Sequence, residues 1–135
     1  MFRGTLLDAW VQGGRGREGF DAMGVAYVRF ALAHPSHYRV MFGGFLDACA
    51  ADPELVQESS AAFQVLVEAV VALQQEGRVR REDPLQLSRF IWAIVHGIAM
   101  LAIDGQLRRS DTNPDTLIRY AIERVRTGIA PAGAS

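Results

Sequence analysis

Lysine is absent from this chain, and cysteine occurs once, as Cys49. A single cysteine excludes an internal disulfide. Residues Met1 to Gln12 lack the sustained apolar stretch and small-residue cleavage site of a secretory signal, so the expected compartment is the cytoplasm. With 14 basic residues, all arginine, against 15 acidic ones, the formal net charge is −1. That balance gives no general electrostatic pull toward nucleic acid. The apolar run Phe90–Ile103 is interrupted by His96 and bracketed by Asp83 and Asp104. It falls short of the roughly 20 apolar residues that a spanning helix needs, so no membrane span is expected. Strand-like alternation bounded by hairpin turns is missing, as is any internal repeat.

Half of the residues are apolar and 21% are charged, enough for one domain with a core of its own. Four of the five prolines follow residues suited to helix starts, in His34-Pro35, Asp52-Pro53, Asp83-Pro84 and Asn113-Pro114. Proline is tolerated at the first helical position, and Asp or Asn before it caps free amides. These marks predict an all-α bundle of about five helices, over 20–33, 35–46, 53–76, 84–107 and 114–128. Gly77 is the expected stop of the third. Residues 2–11 read as the end of a further helix, broken by Gly13 to Gly19. The arginine clusters at 78–81 and 108–109 read as solvated turns and helix ends.

The most informative segment is Phe90–Ile103. At about 100° per residue, Phe90, Ile91, Ile94, Val95, Ile98 and Leu101 fill one arc. Trp92, His96, Met100 and Ile103 fill much of the other, with Ala93 and Gly97 between them. A helix apolar all round must be covered on all sides. One side is then the chain's own core, and the other predicts a partner protein, a second copy of the chain. Ala93 and Gly97, four apart, would let two helices approach closely near a dimer axis. The last helix is amphipathic, with Leu117, Ile118, Ala121, Ile122 and Val125 in its stripe.

Candidate chemistry is sparse. Gly14-Arg-Gly-Arg-Glu-Gly19 matches GxGxxG, but that pattern needs a preceding strand to hold a pyrophosphate, so a flexible connection is expected. His34 and His37 lack further ligands at helical spacing, and a metal site needs three or four. His34 reads as the cap of the second helix. No metal or cofactor is expected. His96 is either a satisfied structural histidine or an effector contact. No nucleophile elbow surrounds Ser59 and Ser60, and no His–Asp set accompanies Cys49, so the chain does not read as an enzyme. The aromatic and methionine residues Met23, Tyr27, Phe30, Tyr38, Met41, Phe42, Phe45, Phe63 and Trp92 are numerous for a small bundle. They are either plain core or the wall of a ligand chamber, which is usually apolar with few polar anchors.

Two motifs occur together: Tyr27-Val-Arg-Phe-Ala-Leu-Ala-His-Pro35 with Tyr38-Arg-Val-Met-Phe42, and Trp92-Ala-Ile-Val-His96-Gly97. The chain resembles the C-terminal domain of TetR-family transcriptional regulators, in the subgroup with a Trp-x-x-x-His-Gly signature, over about residues 20–129. The resemblance implies a chamber for a hydrophobic small-molecule effector. Its wall would draw on Met23, Tyr27 and Phe30, on Tyr38 and Phe42, and on Phe63, Trp92 and His96. It also implies that the last two long helices pair with their twins in a four-helix homodimer interface. Ala93, Gly97 and Met100 would contribute from the fourth helix, and Ile118, Ile122 and Val125 from the fifth. In the family an N-terminal helix-turn-helix reads the operator, and half-sites about 34 Å apart must match the dimer. Residues 1–19 are too few for such a head. They are expected to be a remnant connecting helix and link, with 130–135 a tail. The chain by itself is therefore expected to sense and dimerise, as part of a repressor, without binding DNA. Two other readings stay open: an interaction protein that pairs with full-length paralogues and binds no small molecule, and a small helical enzyme.

Overall fold

In a computed structural model, residues 1–42 and 53–132 are described. They form seven helices and no strand: α1 Phe2–Gln12, α2 Arg17–Ala33, α3 Pro35–Phe42, α4 Pro53–Gln75, α5 Pro84–Ile103, α6 Gln106–Arg109 and α7 Pro114–Ile129. The predicted Phe45 and Cys49 lie outside the described residues.

The prolines mark helix starts for a local reason. Pro35, Pro53, Pro84 and Pro114 each open a helix, where a missing N–H costs nothing. The Asp83 carboxylate accepts from the Leu85 amide at 3.0 Å, and the Asn113 side chain accepts from the Asp115 amide at 2.8 Å. His34 does not cap α3 with its ring: its amide closes α2 on the Phe30 carbonyl, and its own carbonyl accepts from the Tyr38 amide. At the end of α4, Gly77 takes a φ of +75°, and the Arg78 amide reaches back to the Leu73 carbonyl at 2.9 Å. This left-handed closure is the one that favours glycine.

Three boundaries differ from the periodicity. The fourth predicted helix ends at Ile103 rather than Leu107, because Gly105 turns left-handed and restarts the chain as the short α6. Residues 2–11 are not a loose remnant: α1 packs on α2 and α4, with Phe2, Leu6 and Trp10 buried. Fully burying one such side chain is worth ~1.5–3 kcal/mol. The glycine-rich run after α1 is a tight corner rather than a flexible connection. A Cβ on Gly19 would lie 2.5 Å from the Trp10 carbonyl oxygen, so the two helices meet backbone to backbone. A helix, not a strand, precedes the GxGxxG sequence, which removes the nucleotide reading.

α2 lies at the centre, against α1, α3, α5 and α7. α4 and α5 form an antiparallel hairpin whose connection is pinned rather than solvated. Gln74 Nε2 donates to the carbonyls of Arg80 and Glu82, and Arg80 Nε donates to the Ala130 carbonyl at 2.7 Å. By length and composition α4 and α5 are apolar enough to cross a membrane, yet each buries one side in the bundle. On α5 that side is Leu87, Ser88, Ile91, Val95, Ile98 and Ala99.

Candidate functional site

The helices line a partly open chamber of about 530 Å³. α1 supplies Phe2 and Leu6, and α2 supplies Phe20, Met23, Gly24 and Tyr27. α3 adds Arg39 to Phe42, and α4 adds Ser59, Ser60, Ala62, Phe63 and Leu66. α5 contributes Arg89, Ile91, Trp92 and Ile94 to His96, and α7 closes the space with Ile118, Ala121, Ile122 and Val125. The wall is mostly apolar. Size and lining fit a small-molecule site, typically ~300–1,000 Å³.

Six of the eight predicted chamber residues come together here: Met23, Tyr27, Phe42, Phe63, Trp92 and His96. Phe30 and Tyr38 do not reach the wall. Phe30 is core, its ring 4.6 Å from that of Phe2, and Tyr38 is wholly buried behind Tyr27. An aromatic set around Trp92 holds the wall in place: Phe42 lies 5.9 Å and Phe63 6.0 Å from it, ring to ring. Offset and edge-on contacts of this kind are each worth ~0.5–1.5 kcal/mol beyond area.

Four residues from three helices form one polar chain. Trp92 Nε1 donates to the Tyr27 hydroxyl at 3.0 Å, the Tyr27 and Tyr38 hydroxyls lie 2.7 Å apart, and Tyr38 lies 2.5 Å from His96 Nδ1. Burial pushes both tyrosines well above the ordinary phenol range, so both keep their protons. Burial also lowers the pKa of His96, favouring neutral imidazole. One arrangement gives three donors an acceptor each: Trp92 to Tyr27, Tyr27 to Tyr38, and Tyr38 to an unprotonated Nδ1. The His96 proton then sits on Nε2, which has no hydrogen-bond partner among the described residues.

Ion pairs secure the surrounding helices. His37, which lacked an acidic neighbour at helical spacing, is met by Glu58 from α4, 3.1 Å away. Burial alone would raise the Glu58 pKa, but the His37 ring and the Phe2 amide hold it below the ordinary value. Arg39 of α3 pairs with Asp104 at the end of α5. Arg126 of α7 pairs with Asp21 of α2 at 3.0 Å, where burial raises the Asp21 pKa. No three histidine, cysteine or acidic side chains converge as a metal cluster among the described residues.

The predicted dimer residues divide. Ala93 is exposed on the outer side of α5, and a Cβ on the neighbouring Gly97 would meet open space. Met100 is half-buried against the core. Ile118, Ile122 and Val125 point inward, at 0%, 6% and 5% exposure, so their side chains belong to the chamber and core of one chain rather than to an outer surface. The reason is that α2 lies against α7 and consumes its apolar stripe; Gly24 lets Ile122 approach closely. The large apolar side chains left outside are Leu85, Phe90 and Leu101 on α5 and Tyr120 on α7.

The family model described as tetracyclin repressor-like, C-terminal domain, matches residues 20–125. The chain belongs to this family. Among solved structures it is similar to a protein of unknown function from Rhodococcus sp. RHA1, with 26% identity and a TM-score of 0.81. The alignment covers 96% of this chain and 66% of that one, so this chain spans about two thirds of its relative's length. No protein of curated function matches. The match begins at residue 20, yet Phe2 and Leu6 of α1 line the chamber ahead of it. The spacing of Phe2, Leu6 and Trp10, at i, i+4 and i+8, was the signal for that buried face.

Proposed function

We propose that this domain is the ligand-sensing and dimerisation part of a TetR-like transcriptional repressor. It would be soluble and cytoplasmic, would bind a hydrophobic small molecule in the chamber, and would do no catalysis. The observation that carries this reading is the apolar chamber of about 530 Å³, walled by five long or medium helices and α3, in a member of a regulator family. Its polar chain runs from Trp92 and His96 on α5 through Tyr27 on α2 to Tyr38 on α3. A ligand that displaces Trp92 or His96 therefore bears on three helices at once. Effector action would be a population shift, set by the difference in affinity for two helix arrangements.

Phe90, Ala93, Gly97 and Leu101 recur along the outside of α5, and Tyr120 stands on α7. An apolar stripe of this kind supports a homodimer built on α5 and α7, with two copies giving four helices. Such a dimer would set the spacing of any DNA-reading segments joined to it. The same outer stripe also supports pairing with a full-length paralogue.

Two measurements test the proposal. Trp10 and Trp92 are the two tryptophans, so Trp10→Phe leaves Trp92 as sole reporter inside the chamber. A hydrophobic small-molecule library should yield ligands that both raise Tm and change Trp92 fluorescence. Sedimentation should give a dimer. A silent library sinks the sensing role, and a monomer at high concentration sinks the dimer.

A further inference from the structure

The polar groups of the chamber wall are unevenly chosen. Among the described lining residues there are two arginines, Arg39 and Arg89, and no Asp or Glu. Arg39 is already neutralised by Asp104. Arg89 makes no hydrogen bond or ion pair among the described residues. Glu82 shares a shallow outer groove with it, but no ion pair joins them. Arg89 precedes Trp92 by three residues and His96 by seven, so the three stand on one face of α5. The tyrosine hydroxyl of Tyr27 is consumed by its neighbours, and the free proton on His96 is that of Nε2. Ser59 donates its hydroxyl proton to the Val56 carbonyl. What the described wall offers a ligand is therefore one unpaired cation, an N–H donor and the Ser60 hydroxyl around an apolar body.

We infer that the ligand class is an amphipathic monoanion, an apolar molecule carrying a single carboxylate that pairs with Arg89. This rests on the proposed sensing role and names its chemistry. The guanidinium fork matches a carboxylate with two parallel hydrogen bonds, and its aliphatic stem extends the apolar wall. An apolar cation is disfavoured, because the described lining holds no carboxylate to receive it.

The test is isothermal titration calorimetry with decanoate, decanol and decylamine on the wild-type protein and on Arg89→Met, which removes the charge and keeps the stem. Decanoate should bind at least tenfold more tightly than decanol or decylamine. In Arg89→Met that preference should vanish while decanol affinity is retained. If decanol equals decanoate in the wild type, or Arg89→Met keeps the acid preference, the anion assignment is overturned and the sensing role stands. If none of the three binds, the anion assignment falls, and the library screen alone decides the sensing role. A melting temperature near wild type for Arg89→Met shows that the comparison is between folded proteins.

Discussion

The Tyr38 hydroxyl lies 2.5 Å from His96 Nδ1, although the two residues are 58 positions apart in the chain. That contact joins the short α3 to the middle of α5. Tyr38 is also fully buried, so its hydroxyl has no water as an alternative partner. Removing the hydroxyl leaves an acceptor nitrogen and the Tyr27 proton unsatisfied. Tyr38→Phe should therefore cost ~1–3 kcal/mol, beyond the modest net value of an ordinary hydrogen bond. Urea denaturation checks this: an unchanged midpoint would mean that the polar chain carries no stability.

The pH dependence of the same contact has a definite sign. Burial lowers the pKa of His96 in the fold below the ordinary imidazole value of 6.5. Above 6.5 both folded and unfolded chains hold neutral imidazole, and this contribution is fully present. As pH falls below 6.5 the unfolded chain takes up the proton first, so stability drops until the folded pKa is passed. Thermal melts at about pH 7.5 and 5.5 should show a larger loss for wild type than for His96→Phe. Equal losses would place the pH sensitivity elsewhere.

Inward and outward residues of the last helices should separate folding from assembly. Ile118→Glu buries an unpaired charge and should unfold the chain, at a cost of several kcal/mol. Phe90→Glu changes a side chain that is 49% exposed, and should leave the circular dichroism spectrum intact while abolishing the dimer in sedimentation. Gly97→Leu should act likewise, since its Cβ direction is open. Unaltered sedimentation of both outward variants would move the interface away from α5.

The α1–α2 corner gives a further measurement. A Cβ at Gly19 would stand 2.5 Å from a backbone oxygen, which has no rotamer to escape into. Gly19→Ala should cost ~1–3 kcal/mol, the usual range for overpacking. A calorimetric melt indistinguishable from wild type would show that α1 moves aside freely.

The helix starts needed no tertiary information. Pro84 after Asp83 and Pro114 after Asn113 start α5 and α7 because a cap and a locked φ act over three or four bonds. The two-sided apolarity of α5 was equally readable, since periodicity belongs to one helix. Which side faced inward was not. Ile118, Ile122 and Val125 form the stripe expected of α7, but whether a stripe meets the chain's own α2 or a second copy depends on docking.

The same holds for polar partners. Tyr27, Tyr38, Trp92 and His96 were visible as candidates, but their order in one hydrogen-bonded chain comes from three helices converging. Glu58 meets His37 only because α4 returns past α3, and nothing in the sequence sets Arg89 apart from the other arginines, because the acid-free described wall around it comes from packing. Short-range sterics and capping thus set where each helix of this protein begins and how wide its apolar face is. The packing of faces distant in the chain set what each face covers, because burial energy depends on area removed from water and not on separation along the backbone.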